Sequence, residues 1–276
     1  MRVEFLGTPL DSLDMQDALG RVDEFVLARK PHHLMVTNAN KFYLMRHDPR
    51  LTAIAYRADL ILPERAVAVC SAVLGKPLKD DVAGVAFAKE LLSHCEKQGH
   101  SIYFLGATTE VQQCLLDMVR REYPGLKVAG SHHGYFLKDK NDAVLEDIRS
   151  KKPDVLLVGL GSPLQEYWIR ENIDIEQIVV PVSIGVGGSF DVIAGLKKDA
   201  PQWIRKSGFE WLFRLIQDPK RYWKRHLRIV PFLFFTTLLE GIFGLHRIEK
   251  GRTNSIPLSS PRTASVPATK PERADS

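Results

Sequence analysis

Cysteine is scarce in this sequence, and its placement argues against a metal site or a disulfide framework. Only Cys70, Cys95 and Cys114 occur in 276 residues, each within an apolar or amphipathic stretch. Such placement is typical of buried, reduced thiols and of a protein in a reducing compartment. The adjacent His132 and His133 have no cysteine or carboxylate at ligand spacing, so we predict no bound metal.

Several other signatures are missing. There is no GxGxxG or Walker sequence, which leaves a classical dinucleotide or ATP site unsupported, and we expect no cofactor. The residues after Met1 have neither the apolar segment nor the small-residue cleavage site of a signal peptide. The most apolar stretch, residues 229–239, is about half as long as a membrane span requires. No segment repeats at a fixed period.

The chain does contain alternating strand and helix patterns, which predict an α/β fold. Short apolar runs predict strands, and apolar residues at helical spacing predict the helices between them. This alternation predicts βαβ units and a mostly parallel sheet, in which ligands bind beyond the carboxyl ends of the strands. The predicted strands are 33–37, 60–63, 101–106, 127–130, 154–161 and 178–186, and the predicted helices are 40–46, 83–98, 109–123 and 141–151.

The character of the sequence changes after residue 188. Residues 197–228 contain ten Lys or Arg but only three acidic residues, and helices are predicted at 203–215 and 219–245. Basic residues mixed with aromatics beside an apolar face suit an interfacial membrane helix. They equally suit a core helix with a solvated basic face. From residue 250 the chain is rich in Ser, Pro and Arg, which predicts disorder.

Glycine follows three of the predicted strands. Gly106 ends one strand, Gly161 lies in a second strand-end loop and Gly187 in a third. Backbone N–H groups in such loops can approach a phosphate, although a glycine there can also serve only as a turn. Gln165 on the helix after Gly161 can donate from its amide, and Asp191 can accept hydrogen bonds from ribose hydroxyls.

Polar residues follow the first two predicted strands. Thr37, Asn38 and Asn40 suit sugar hydroxyls, and they also suit a helix cap. Glu64 is the acidic residue placed to act as a general base from such a loop. In the loop after residue 130, Tyr135 offers an aromatic ring on which a nucleobase can stack.

Taken together and in order, these segments resemble the WecG/TagA/CpsF glycosyltransferases over about residues 36–228. Four regions carry the resemblance: residues 159–166 (GLGSPLQE), 185–191 (GVGGSFD), 133–136 (HGYF), and 201–205 (PQWIR) continuing through 208–214 (GFEWLFR).

The resemblance implies a Rossmann-like core, residues 1–200, followed by a basic helical, membrane-associating appendage, residues 201–248, and a disordered tail, residues 249–276. It implies a UDP-sugar donor and an undecaprenyl-diphosphate-linked sugar acceptor, and a peripheral location on the cytoplasmic, inner face of a bacterial plasma membrane. Gln165, Tyr135 and Asp191 match positions expected to line the donor pocket, and Asn38 matches an asparagine after the first strand. The basic residues facing the lipid diphosphate or anionic headgroups would be Arg214, Arg221, Lys224, Arg225 and Arg228.

One departure from the family pattern concerns the catalytic base. The family typically has Asp-Gly after the strand ending at Pro63, whereas this chain has Glu64-Arg65. A carboxylate is retained, one methylene longer. If Arg65 pairs with Glu64, the base would be weaker, because a nearby cation lowers a carboxylate pKa. Arg65 could instead bind an anionic group of the donor or acceptor.

Three functional hypotheses follow. The first is an inverting, metal-independent hexosyltransferase in which Glu64 activates the acceptor hydroxyl; the sugar could be N-acetylmannosamine, its uronic acid or glucose. The second is a catalytically impaired relative that binds nucleotide-sugar or lipid diphosphate as a scaffold, motivated by Glu64-Arg65 alone. The third, a nucleic-acid-binding module, ranks last because no reading motif occurs, so we expect no nucleic-acid partner. The sequence leaves a homo-oligomer open.

Overall fold

The protein is described here by a computed structural model, which covers residues 2–82, 84–136, 141–175, 178–207 and 209–243. A two-stranded antiparallel hairpin, β1 (Arg2–Phe5) and β2 (Thr8–Asp11), precedes a six-stranded sheet. All neighbouring strands of that sheet are parallel, in the order β4-β3-β8-β7-β5-β6, which confirms the predicted fold class. The strands are β3 (His32–Thr37), β4 (Leu60–Pro63), β5 (Ser101–Gly106), β6 (Lys127–His132), β7 (Val155–Gly159) and β8 (Val182–Gly185).

Helices connect and follow these strands. They are α1 (Met15–Ala28), α2 (Ala39–His47), α3 (Pro49–Arg57), α4 (Arg65–Val73), α5 (Gly84–Gln98), α6 (Thr109–Glu122), α7 (Asn141–Lys151), α8 (Leu164–Ile169), α9 (Ser189–Ile193), α10 (Gln202–Ser207), α11 (Glu210–Gln217) and α12 (Pro219–Phe243). A π-helical segment, Arg170–Ile175, continues α8.

The core lies on both faces of the sheet because successive side chains of a strand point to opposite sides. Leu34, Leu157 and Ile184 face the layer formed by α1, α5, α6 and α9. Their neighbours, such as Met35 and Leu156, face the layer formed by α2, α3, α7 and α8. With helices on both faces, the carboxyl ends of the strands remain the open edge on which a site can form.

Two predicted elements have different bounds in the structure, because an apolar pattern indicates burial and not backbone hydrogen bonding. The apolar run 178–186 forms a strand only at β8, although Ile178 and Val180 are also buried. The predicted helix 203–215 is two helices in the structure: α10 ends at Ser207 and α11 begins at Glu210. The hairpin β1–β2 and helices α1, α3 and α4 were not predicted.

Helix α12 packs back against the α/β core. Ile229, Leu233 and Thr237 are buried at four-residue spacing and form its inner face, in contact with α2 and α4. The Phe232 ring meets the Tyr43 ring of α2 edge-on, with centroids 5.2 Å apart. Among the described residues, no helix is both long and apolar enough to cross a bilayer. The predicted tail, residues 249–276, lies outside the described residues, as do 244–248.

Candidate active site

The predicted base lies beside the end of β3. Residue Thr37 ends β3 and Pro63 ends β4, and the two strands pair in that register. The Glu64 backbone N–H donates to the Thr37 carbonyl over 2.9 Å, which fixes the β4 loop against the β3 loop. The Glu64 carboxylate is half-buried, and its Oε1 lies 3.4 Å from the Gly84 N–H. The carboxylate therefore lies at the open edge of the sheet.

Arg65 does not neutralise the predicted base. Its guanidinium forms an ion pair with Asp81, Nη1 to Oδ1 2.8 Å. The guanidinium next to Glu64 therefore has its own carboxylate partner in the loop before α5. Binding of an anionic substrate group by Arg65 stays a prediction.

The polar residues after β3 have mixed roles. Asn38 is the N-cap of α2, and its Oδ1 accepts from the Lys41 N–H over 3.0 Å. The helix-cap interpretation of Asn38 is thus confirmed, because this bond satisfies one of the N–H groups left open at a helix start. Asn40 is half-buried on α2, and the Thr37 side chain is fully buried.

The glycine loops after β5, β6 and β7 pack backbone against backbone. Gly106 has φ +126°, and a Cβ there would lie 2.5 Å from the Gly159 carbonyl carbon. The Ala107 N–H donates to the Gly159 carbonyl over 3.2 Å, and the Gly134 N–H donates to the Ala107 carbonyl over 2.8 Å. Only glycine permits so close an approach at 106, so the three loops form one continuous backbone surface.

Gln165 links two of the strand-end loops. Its side chain is only 2% exposed. Its Oε1 accepts from the N–H groups of Gly187 (2.9 Å) and Gly161 (3.2 Å), and its Nε2 donates to Glu166 (2.8 Å). Gln165 therefore joins the β7 and β8 loops, and the Gly161 and Gly187 N–H groups point at its Oε1. Contact of its amide with the donor stays a prediction. The Ser162 hydroxyl, just before α8, donates to Glu166 Oε1 over 3.1 Å.

A buried ion pair lies behind these loops. The Lys41 Nζ is 2.7 Å from Glu166 Oε1, and the two side chains are 4% and 0% exposed. Burial alone raises the pKa of Glu166, but the charge of Lys41 and the hydrogen bonds from Lys41 and Gln165 outweigh burial, so the pKa is lowered overall. Glu166 is therefore held as a carboxylate.

His33 is a buried neutral base on the same face of the sheet. Burial lowers its pKa to about 4; the nearby Glu166 acts in the opposite sense, while Lys41 and Arg170 add to the lowering. The ring is 3% exposed. His33 therefore belongs to the buried polar layer under the site and not to its open surface.

The loop after β6 leaves an aromatic ring in solvent. Tyr135 is 69% exposed, and its N–H donates to His133 Nδ1 over 3.2 Å. Beside this loop, a surface cavity of about 390 Å³ lies between α6 and the end of β6, lined in part by Gln112, His132 and His133. Stacking of a nucleobase on Tyr135 stays a prediction.

Asp191 lies in the first turn of α9, directly after the β8 loop. Its Oδ1 is 3.5 Å from Lys197 Nζ, and its backbone carbonyl accepts from the Leu196 and Lys197 N–H groups. The carboxylate is partly exposed at the same edge of the sheet as Glu64, and contact with a ribose hydroxyl stays a prediction.

The predicted lipid-facing residues lie on α11 and α12. Arg214 is half-buried in α11 and Arg228 is exposed on α12. The side chains of Arg221, Lys224 and Arg225 lie outside the described part of the structure, although their backbone belongs to α12.

Sequence reasoning missed Lys41 and Glu166. The signal was present in α2, where a lysine occupies the same helical face as the buried Met45 four residues later. A lysine on an apolar helix face requires a carboxylate partner. The first turn of α8 supplies this partner, Glu166, next to Gln165. The structure brings Thr37, Asn38, Glu64, Gly106, Gly161, Gln165, Gly187 and Asp191 to one edge of the sheet.

Comparison with known proteins matches nearly the whole sequence to one family. Residues 3–246 match the model described as the glycosyl transferase WecG/TagA/CpsF family. An N-acetylglucosaminyldiphosphoundecaprenol N-acetyl-beta-D-mannosaminyltransferase of Bacillus spizizenii is 32% identical over 232 residues, which cover 82% of this chain and 88% of the relative. The protein of the same name from Staphylococcus aureus (strain MW2) is 30% identical over 239 residues, 85% of this chain and 91% of the relative.

Proposed function

Because the chain belongs to the WecG/TagA/CpsF family and is therefore a glycosyltransferase, we propose that it transfers N-acetylmannosamine from a UDP-sugar to an undecaprenyl-diphosphate-linked N-acetylglucosamine. The sugar and acceptor follow the names of its relatives. The observation that carries the proposal is the position of Glu64, a carboxylate at the open edge of the sheet whose neighbouring cation is paired elsewhere. The product would serve surface-glycan synthesis.

The donor binds on the glycine side of the site in this proposal. A Cβ at Gly161 would meet nothing within 4 Å, and one at Gly187 would meet only the Gln165 Oε1 at 3.8 Å, so the loops after β7 and β8 let a diphosphate come close to the main chain. Tyr135 stacks on the uracil and Asp191 accepts from the ribose. The anomeric carbon of the sugar then points from β7 and β8 toward β3 and β4.

Glu64 acts as the general base. Its carboxylate removes the proton from the acceptor hydroxyl while the oxygen attacks the anomeric carbon. The bond from that carbon to the diphosphate breaks and UDP leaves with its electron pair, so the configuration inverts in a single displacement. No metal is required if backbone and cationic groups stabilise the leaving diphosphate.

The appendage α10–α12 meets the membrane. Its outer surface carries large apolar side chains that the core does not cover, with Trp203, Ile216 and Leu227 each more than 60% exposed. Arg214 and Arg228 lie on the same helices. Exposed apolar and basic side chains together are typical of a helix bound at an anionic lipid surface, which supports a peripheral location at the inner leaflet beside the lipid acceptor.

The test is transfer from UDP-N-acetylmannosamine and a panel of other UDP-sugars to a prenyl-diphosphate-linked N-acetylglucosamine, with wild type and Glu64→Gln side by side. We expect the substitution to lower kcat roughly 100-fold or more, the usual size of a general-base effect, while UDP binding stays unchanged. Arg57→Gln, on the exposed end of α3, is the matched control and should behave as wild type.

Two outcomes contradict parts of the proposal. Full activity in Glu64→Gln would place the base at another residue. Binding of UDP-sugars without transfer by the wild type would favour the scaffold hypothesis, in which the replacement of Asp-Gly by Glu64-Arg65 has removed activity.

A further inference from the structure

Glu166 is the most enclosed carboxylate of the described chain and lies close to the site without reaching its surface. The side chain is 0% exposed. Its Oε1 accepts from three donors: Lys41 Nζ at 2.7 Å, Gln165 Nε2 at 2.8 Å and Ser162 Oγ at 3.1 Å. A carboxylate desolvated to this degree requires such partners, because an unpaired buried charge is strongly unfavourable.

On one side, this carboxylate fixes the loops after β7 and β8. By accepting from Nε2, Glu166 fixes which way the Gln165 amide faces, so that Oε1 receives the Gly161 and Gly187 N–H groups. The fit is tight, since a Cβ at Gly185 would collide with the same amide. The relative position of the β7 and β8 loops therefore depends on the orientation of one side chain, which Glu166 sets.

The other side reaches the loops that carry the predicted base. Lys41 belongs to the first turns of α2, whose start is capped by Asn38 directly after β3. The β3 loop is bonded in turn to Glu64 through the Thr37 carbonyl. A continuous series of contacts thus runs from the β4 loop through Thr37 and Lys41 to Glu166, and from there to the β8 loop.

We propose that Glu166, together with Lys41, is a positioning residue that sets the loops after β7 and β8 in register with the Glu64 loop. This inference rests on the proposed function, which assigns the loops after β7 and β8 to the donor. The pair touches no substrate; it acts through Gln165 and the two glycine N–H groups. Loss of the Glu166 carboxylate therefore weakens donor binding in the transferase.

The test compares Glu166→Met with the double variant Lys41→Met/Glu166→Met, using UDP-N-acetylmannosamine as donor and the prenyl-diphosphate-linked acceptor. The single variant leaves Lys41 buried without its partner, and we expect a lower Tm. The double variant removes both charges, and Tm should largely recover, because apolar replacement of a buried ion pair is often neutral or stabilising. Neither variant retains an acceptor for the Gln165 amide, so the donor KM should rise roughly tenfold or more in both.

Comparing Tm with the donor KM in these variants distinguishes a positioning role of the pair from a purely structural one. A double variant with recovered Tm and wild-type KM would overturn the inference, because the pair would then serve the fold alone. If the single variant does not fold, the double variant still provides this comparison. Asp154→Asn is the control, because Asp154 accepts from Ser101 and Arg29 at the opposite, amino-terminal edge of the sheet; it should lower Tm and leave KM unchanged.

Failure of the proposed function gives a different result. A wild type that neither binds UDP in calorimetry nor transfers any sugar removes the donor assignment and this inference with it. A wild type that transfers normally while the double variant keeps its KM removes this inference alone.

Discussion

In the sheet, apolar side chains such as Leu157 and Ile184 are completely buried, whereas in α12 Phe234 is 63% exposed and Leu238 is 47% exposed. The two regions contain similar residues, yet only the first encloses them between helix layers. The appendage is held to the core through the narrow inner face of Ile229, Leu233 and Thr237. The core therefore encloses its apolar side chains, whereas the appendage leaves apolar surface uncovered, a feature typical of surfaces that contact another molecule or a membrane.

The largest expected effect comes from removing the appendage. A chain ending at Ser207 retains the whole sheet and should still bind UDP. We expect transfer to a lipid-linked acceptor in membranes to fall by roughly 100-fold or more, because the acceptor is no longer positioned, and binding to anionic vesicles to be lost. Vesicle sedimentation and a transfer assay measure the two effects. A truncated chain with full activity on the lipid acceptor would contradict the division into core and appendage.

Substitution of one leucine in each region tests the difference in stability. Leu157→Ala leaves a cavity inside β7 and should lower the free energy of unfolding by about 2–5 kcal/mol. Leu238→Ala removes a half-exposed side chain and should change it by less than about 0.5 kcal/mol. Urea unfolding followed by circular dichroism gives both values. Equal losses would mean that α12 is buried as deeply as the sheet.

A buried histidine of the core should make the folded protein lose stability in acid. In the folded protein the pKa of His33 is lowered from 6.5 to about 4, so the unfolded chain binds this proton first as the pH falls. The folded state therefore loses stability between about pH 6.5 and 4, by up to about 3 kcal/mol, and this effect is absent above that range.

Unfolding free energies of wild type and His33→Gln across this pH range check the expectation. The variant should show a shallower decline toward pH 4. His47→Gln is the matched control, because His47 is exposed on α2 beside Phe232, and its pH dependence should equal that of the wild type. Identical slopes for wild type and His33→Gln would mean that another group causes the acid sensitivity.

Much of this arrangement could be predicted from the sequence, because short apolar runs have few alternatives. The runs at Leu60–Pro63 and Ser101–Gly106 were predicted to the residue, since continuous burial on both faces leaves a parallel strand as the natural structure. The loops of the site were predicted for the same reason, because parallel strands bring their carboxyl ends to one edge. The break between α10 and α11 was missed because the apolar pattern was followed across Gly208, although glycine commonly follows the end of a helix.

The order of motifs along the chain is enough to predict the family, the parallel sheet and the loops that meet at its edge. The pairing of the charged side chains in these loops depends on the folded structure. The fold paired Arg65 with Asp81 instead of Glu64, turned Gln165 inward between two glycine N–H groups, and joined Lys41 to Glu166, 125 positions later in the chain. Partners so far apart in sequence are chosen by burial, because a desolvated charge must find whichever opposite charge the folded layers place beside it.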